Sequence, residues 1–89
     1  MKRPDAGRSQ NDVRLVNDLK RCRFDKADMS QEALARAVGV SRQTIIAIEK
    51  GRFVPSTLLA LKLARFFGKP LEEIFRIDEN NAVREGTAR

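Results

Sequence analysis

Between Gly39 and Ser41 a single residue, Val40, intervenes. Glycine readily takes the left-handed conformation that ends a helix, and a serine side chain accepts from the free N–H groups of a first helical turn. The triplet therefore predicts one helix stopping and another starting almost at once. A joint this short cannot let the two helices lie antiparallel. They must meet at a steep angle, with Val40 plugging the angle between them. The same punctuation recurs along the chain: Ser30 to Gly39, Ser41 to Gly51 and Ser56 to Gly68 each bracket one helix.

A further helix is expected before these, over residues 12–24, with Leu15, Leu19 and Cys22 along one side and Val16 and Arg23 beside them. A short fifth one starts at Pro70, whose fixed φ suits a first helical position, and carries Glu72 and Glu73 near its positive end. No segment alternates with period two for long, although Phe75-Arg76-Ile77 can extend briefly. The expected fold is all-α, four or five helices around one core. With 89 residues the chain holds one small domain. That domain spans residues 12–77, between a flexible arm over 1–11, which holds Pro4 and Gly7, and a flexible tail over 78–89.

Composition narrows the function classes. Histidine is absent and Cys22 is the single cysteine, so the usual zinc, haem and acid–base sets have no raw material. Cys22, at helical spacing from Leu15 and Leu19, reads as a buried small apolar residue rather than a reactive thiol. There is no glycine-rich phosphate loop and no Ser/His/Asp set, so no enzyme, cofactor, metal or small-molecule ligand is expected. No apolar run approaches the ~18 residues of a membrane helix and no secretory segment opens the chain, which reads as soluble and cytoplasmic. Eighteen Lys and Arg against twelve Asp and Glu give a net charge of +6 and a pI near 10.3, favouring a polyanionic partner.

Helical phase then divides the paired helices. Leu34, Ala35 and Val38 face inward from the first of the pair, Ile45 and Ile48 from the second. Arg42, Gln43, Thr44, Ile46 and Ala47 are left toward solvent. A helix protruding N-terminus first matches the major groove of double-stranded DNA, where Arg pairs with guanine O6/N7 and Gln with adenine N6/N7. Thr44 offers a hydroxyl bond or a methyl contact to thymine. The competing reading is an ordinary solvated helix face. Lys50-Gly51-Arg52 leaves the helix on the same side, where Lys50, Arg52 and their backbone N–H groups are placed to hold phosphates. Ser41 at the helix start and Gln31 at the start of the preceding helix are further phosphate candidates, with a capping or solvated role the alternative for Gln31.

The stretch SQEALARAVGVSRQTIIAIEKGRFVPSTLLALKLARFFGKPLEEIF, residues 30–75, resembles the Cro/CI-type (XRE-like) helix-turn-helix family in its small single-domain bacterial branch. Gln31, Leu34-Ala35, Gly39-Val40-Ser41, Ile45, Ile48-Glu49 and Gly51 carry the resemblance. It implies a compact five-helix, lambda-repressor-like domain, sequence-specific DNA binding and commonly a two-fold dimer on a palindromic operator. It also implies phosphate gripping by Gln31 and base reading by Arg42, Gln43, Thr44 and Ala47. The chain departs from the pattern at residues 25–29, a longer link than the family's glycine turn, and at Ala47, which is too short for a polar base contact.

Three expectations follow. Glu49 lies on the inward side of its helix, so it needs a partner, and Arg23 near the end of the first helix is the candidate for a structural ion pair, one the family often has. Leu58 and Leu61 sit on the outer face of the fourth bracketed segment beside Lys62 and Arg65, either as scatter or, with Phe75 and Ile77, as a homodimer interface setting two reading helices ~34 Å apart. Lys2, Arg3 and Arg8 lie either in a minor groove or in a solvated arm. The chain is thus expected to be a transcriptional regulator, a repressor in the first reading. A controller protein of a restriction–modification operon and an antitoxin with autoregulatory DNA binding are the alternatives.

Overall fold

The structure, a computed structural model, describes residues 14–78. Strand β1 (Arg14–Asn17) is followed by helices α1 (Leu19–Asp25), α2 (Gln31–Val38), α3 (Arg42–Glu49) and α4 (Thr57–Phe67), a 3-10 turn (Leu71–Glu73) and strand β2 (Phe75–Asp78). The arm over 1–11, with Lys2, Arg3 and Arg8, and the tail beyond residue 78 lie outside the described residues.

The three bracketed helices form as their punctuation requires. Ser30 Oγ accepts from Ala33 N at 2.9 Å, Ser41 Oγ from Thr44 N at 3.1 Å and Ser56 Oγ from Leu59 N at 3.1 Å, each cap stabilising its helix by about 1 kcal/mol. At the other ends the chain turns back on the last carbonyls. Val40 N donates to Ala35 O at 2.9 Å, Arg52 N to Ala47 O at 2.9 Å and Lys69 N to Ala64 O at 3.1 Å. Gly39 (φ 78°) and Gly51 (φ 74°) hold the left-handed positions that border α3's approach and exit.

The expected all-α fold of five helices is corrected at both ends. Residues 14–17 are extended, and α1 begins only at Leu19, so Leu15 and Val16 leave the helix assigned to 12–24. Antiparallel pairing is the cause: Arg14 faces Asp78, Leu15 faces Ile77, Val16 faces Arg76 and Asn17 faces Phe75. Asp18 N then donates to Ile74 O at 2.8 Å, and Asn17 Oδ1 accepts from Leu19 N at 3.0 Å, which turns the strand into the helix. The fifth helix is a single 3-10 turn. Pro70 stands before it in an extended conformation (φ −61°, ψ 147°), and Phe75 is claimed by β2 before an α-helical turn can complete. Asp78, assigned to the tail, ends that strand.

The link over residues 25–29 is closed without glycine. Ala27 and Asp28 both take left-handed backbone angles, φ 57° and 54°, and Met29 N donates back to Arg23 O at 2.9 Å. Inside, Leu19, Cys22, Leu34, Ala35, Val38, Ile45, Ile48, Leu59, Leu63, Ile74 and Phe75 make one buried cluster. Its two largest isoleucines on α3, Ile45 and Ile48, are 0% and 1% exposed, each contributing about 1.5–3 kcal/mol of burial. Among the described residues no helix is long and apolar enough to cross a membrane.

Candidate nucleic-acid interface

With Ile45 and Ile48 held in the core and the joint at Gly39-Val40-Ser41 fixing its start, α3 projects its first turn outward. Arg42 and Gln43 are exposed, while Thr44, Ile46 and Ala47 are half-buried rather than fully on the solvent side. Ser41 is exposed, but its Oγ caps the helix and lies 3.0 Å from Thr44 Oγ1. The Thr44 hydroxyl thus already has one internal partner.

Beneath that face runs a polar strut. Arg23 Nε donates to Glu49 Oε2 at 2.6 Å and Arg23 Nη2 to Glu49 Oε1 at 3.0 Å, a bidentate pair with side chains 13% and 8% exposed. Arg23 Nη1 reaches Met29 O at 2.7 Å, and Gln31 Nε2 donates to Glu49 Oε1 at 3.1 Å. One carboxylate therefore joins α1, α2 and α3. Gln31, expected to be free for a phosphate, has one amide proton engaged and is half-buried.

Past α3, Lys50 and Arg52 stand exposed on the turn. Their backbone N–H groups, expected to help hold phosphates, have acceptors within the protein. Lys50 N donates to Ile46 O at 3.0 Å and Arg52 N to Ala47 O at 2.9 Å, so both close the helix end and only the side chains are available.

Of the four residues expected at a dimer face, Leu58 and Leu61 lie on α4, while Phe75 and Ile77 line one surface cleft on β2. Leu58 and Leu61 are 64% and 51% exposed on the outer side of α4, and Ile77 is 60% exposed on β2. Phe75, on the same sheet face as Ile77 two residues on, is 8% exposed because it packs into the core cluster. Phe53 and Val54, 47% and 68% exposed, add apolar surface on the chain after α3. With Leu15, Ile48 and Phe75 these two line a cleft of about 320 Å³. Sequence reasoning missed them because they lie outside any periodic segment.

Two titratable groups are displaced. The Arg76 guanidinium, 2.8 Å from Asp18 Oδ2, holds that carboxyl below its ordinary value, and Asp18 raises Arg76 in turn. Burial pushes the Cys22 thiol up, away from the reactive thiolate. No group of three or more His, Cys, Asp and Glu side chains gathers among the described residues.

Residues 19–74 match the helix-turn-helix family. Among curated relatives, an uncharacterised HTH-type transcriptional regulator of Methanocaldococcus jannaschii is 55% identical over 60% of this chain and 80% of its own. Another, YgzD of Bacillus subtilis, is 54% identical over 75% of this chain and the whole of its own. The transcriptional repressor RstR of the cryptic phage CTXphi in Vibrio cholerae is 39% identical over 61% of this chain and 49% of its own. With a matched segment that contains α1 to α4 and the joint between α2 and α3, the chain belongs to the helix-turn-helix family of DNA-binding transcriptional regulators.

Proposed function

We propose that this regulator represses transcription by occupying a palindromic operator as a two-fold dimer, with α3 in the major groove. The observation that carries the reading is the exposed first turn of α3. Arg42 and Gln43 stand free on a helix whose other side is locked by Ile45, Ile48 and Glu49. Arg42 reads guanine and Gln43 adenine, while Thr44 and Ala47 offer methyl groups to thymine. Lys50 and Arg52 grip flanking phosphates, aided by the second amide proton of Gln31 and by Ser41, and supply most of the affinity. Sequence similarity to a phage repressor, 39% identity over 61% of this chain, supports repression.

For the dimer, the turn after α3 runs straight into Phe53 and Val54, and Leu15 and Phe75 line both the cleft beside them and the one beside Ile77, so a second copy seated there brings two reading helices side by side. The outer face of α4, with Leu58 and Leu61, is the other apolar surface. Sedimentation of Ile77→Glu and Leu58→Glu beside the parent separates them. The expected result is a halved mass for Ile77→Glu alone. Parent mass in both variants, or a monomeric parent, removes the dimer from the account.

Selection of duplexes from a random pool tests the reading as a whole. An inverted repeat whose half-sites are centred about 10 base pairs apart is expected. Recovery of sequences no better bound than the starting pool would refute it.

A further inference from the structure

Asn17 ends β1, near the start of the described segment and far in sequence from every base-reading candidate, yet its side chain reaches α3. Its Nδ2 donates to Ile48 O at 2.8 Å across 31 positions of sequence, while its Oδ1 accepts from Leu19 N at 3.0 Å and starts α1. The Ile48 carbonyl also accepts from Gly51 N at 2.9 Å, so both of its lone pairs are engaged. Next along α3, the Glu49 carboxylate is held by Arg23 and Gln31. Consecutive residues of α3 are thus tied to two different parts of the fold, one through the backbone and one through the side chain.

We infer that Asn17 is a positioning residue for base reading, setting the roll of α3 in its groove; the inference rests on the DNA-reading role proposed above. The core contacts of Ile45 and Ile48 are apolar and tolerate small rotations, because burial has no direction. Hydrogen bonds do have direction. With side-chain tips ~5–6 Å from a helix axis, a roll of about 10° displaces Arg42 and Gln43 by about 1 Å, enough to spoil bidentate bonds to a base edge. The Glu49 strut alone fixes one point on the helix. The Asn17 bond adds a second, on the backbone at the end of the helix.

The sheet explains how Asn17 is itself held. Asn17 pairs with Phe75, Asp18 N donates to Ile74 O at 2.8 Å, and Arg76 Nη1 donates to Asp18 Oδ2 at 2.8 Å. Strands from the two ends of the described segment therefore close on one another and present this amide to the recognition helix. That gives the small two-stranded sheet a role beyond covering the core.

Asn17→Asp separates the two bonds. Its carboxylate still accepts from Leu19 N and favours the start of α1, but it has no proton for Ile48 O. Asn17→Ala removes both. Affinities for the selected duplex and for a random duplex of equal length are measured beside amide exchange and chemical shifts. Both variants are expected to lose about 10-fold on the selected duplex and nothing on the random one. Gly51 N–H exchange should quicken and the amide shifts of residues 42–47 should move, while those of α4 stay. Parallel losses on both duplexes, or unchanged affinity, overturn the inference. A parent with no preference for any duplex refutes the DNA-reading role. Unmoved α3 shifts in Asn17→Asp refute the clamp whatever the DNA result.

Discussion

Replacing Glu49 with alanine leaves Arg23 in a place built for a carboxylate. Three donors converge there: Arg23 Nε at 2.6 Å, Arg23 Nη2 at 3.0 Å and Gln31 Nε2 at 3.1 Å. The guanidinium keeps only its bond to Met29 O, at 2.7 Å, and with 13% of the Arg23 side chain exposed, water replaces only part of what is lost. Removing one partner of a buried pair costs about 3–5 kcal/mol, and with 13% and 8% of the two side chains exposed the lower end applies here. A domain this small has about 3–10 kcal/mol in all, at ~0.05–0.15 kcal/mol per residue. At ~4–8 °C per kcal/mol, Glu49→Ala should melt at least about 12 °C below the parent, if it folds at all. Glu73→Ala, exposed on the 3-10 turn, should stay within about 0.5 kcal/mol. The double variant Arg23→Met/Glu49→Leu should recover most of the loss, because burying no charge avoids desolvation. Melting curves followed by circular dichroism decide. Equal melting points for Glu49→Ala and Glu73→Ala would refute the reasoning, as would a double variant no more stable than Glu49→Ala.

Other consequences are checked more quickly. Ala27→Gly relieves a left-handed residue and should raise stability by about 0.5–1 kcal/mol in urea titration; Ala37→Gly, inside α2, should lower it by a similar amount. Because Arg76 depresses the carboxyl of Asp18, the native state releases that proton more readily than the unfolded chain. The contribution is present above the ordinary carboxylate range and lost as pH falls through the depressed value, so Asp18→Asn should flatten the acid limb of stability against pH. Cys22 behaves in the opposite sense. Its raised thiol keeps its proton when folded, so stability should decline as pH rises through the ordinary thiol range, and Cys22→Ala should remove that slope. Alkylation of Cys22 should proceed at the rate of unfolding, and rapid labelling of the native protein would contradict its burial.

Local signals made α2, α3 and α4 legible in the sequence, because each carries its start and stop within its own span. Helical phase likewise gave the inward faces of α2 and α3 and marked Glu49 as needing a partner. The first strand was not legible. Leu15 and Leu19 have the i, i+4 spacing of a helix, and the partner that makes residues 14–17 extended lies at the far end of the domain, at Phe75–Asp78. Four residues are too few for period two to outweigh that spacing. The short fifth helix failed for a related reason, since β2 takes the chain at Phe75. In the candidate interface, side-chain competition was the invisible part. Gln31 and the Thr44 hydroxyl look free in sequence, but each meets an internal partner, Glu49 and Ser41. Asn17 carried no signal at all, because nothing in its neighbourhood announces a bond to Ile48.

The central claim is that α3 reads bases while the turn after it holds phosphates. The most direct test measures Arg42→Ala and Lys50→Ala against the selected operator, its single-base variants and random duplex over a range of salt. Arg42→Ala should lose discrimination at one or two base pairs, about 1–3 kcal/mol, with the salt slope unchanged. Lys50→Ala should weaken all duplexes alike and reduce the salt slope by about one. The reverse pattern, or binding indifferent to salt in the parent, would contradict the account.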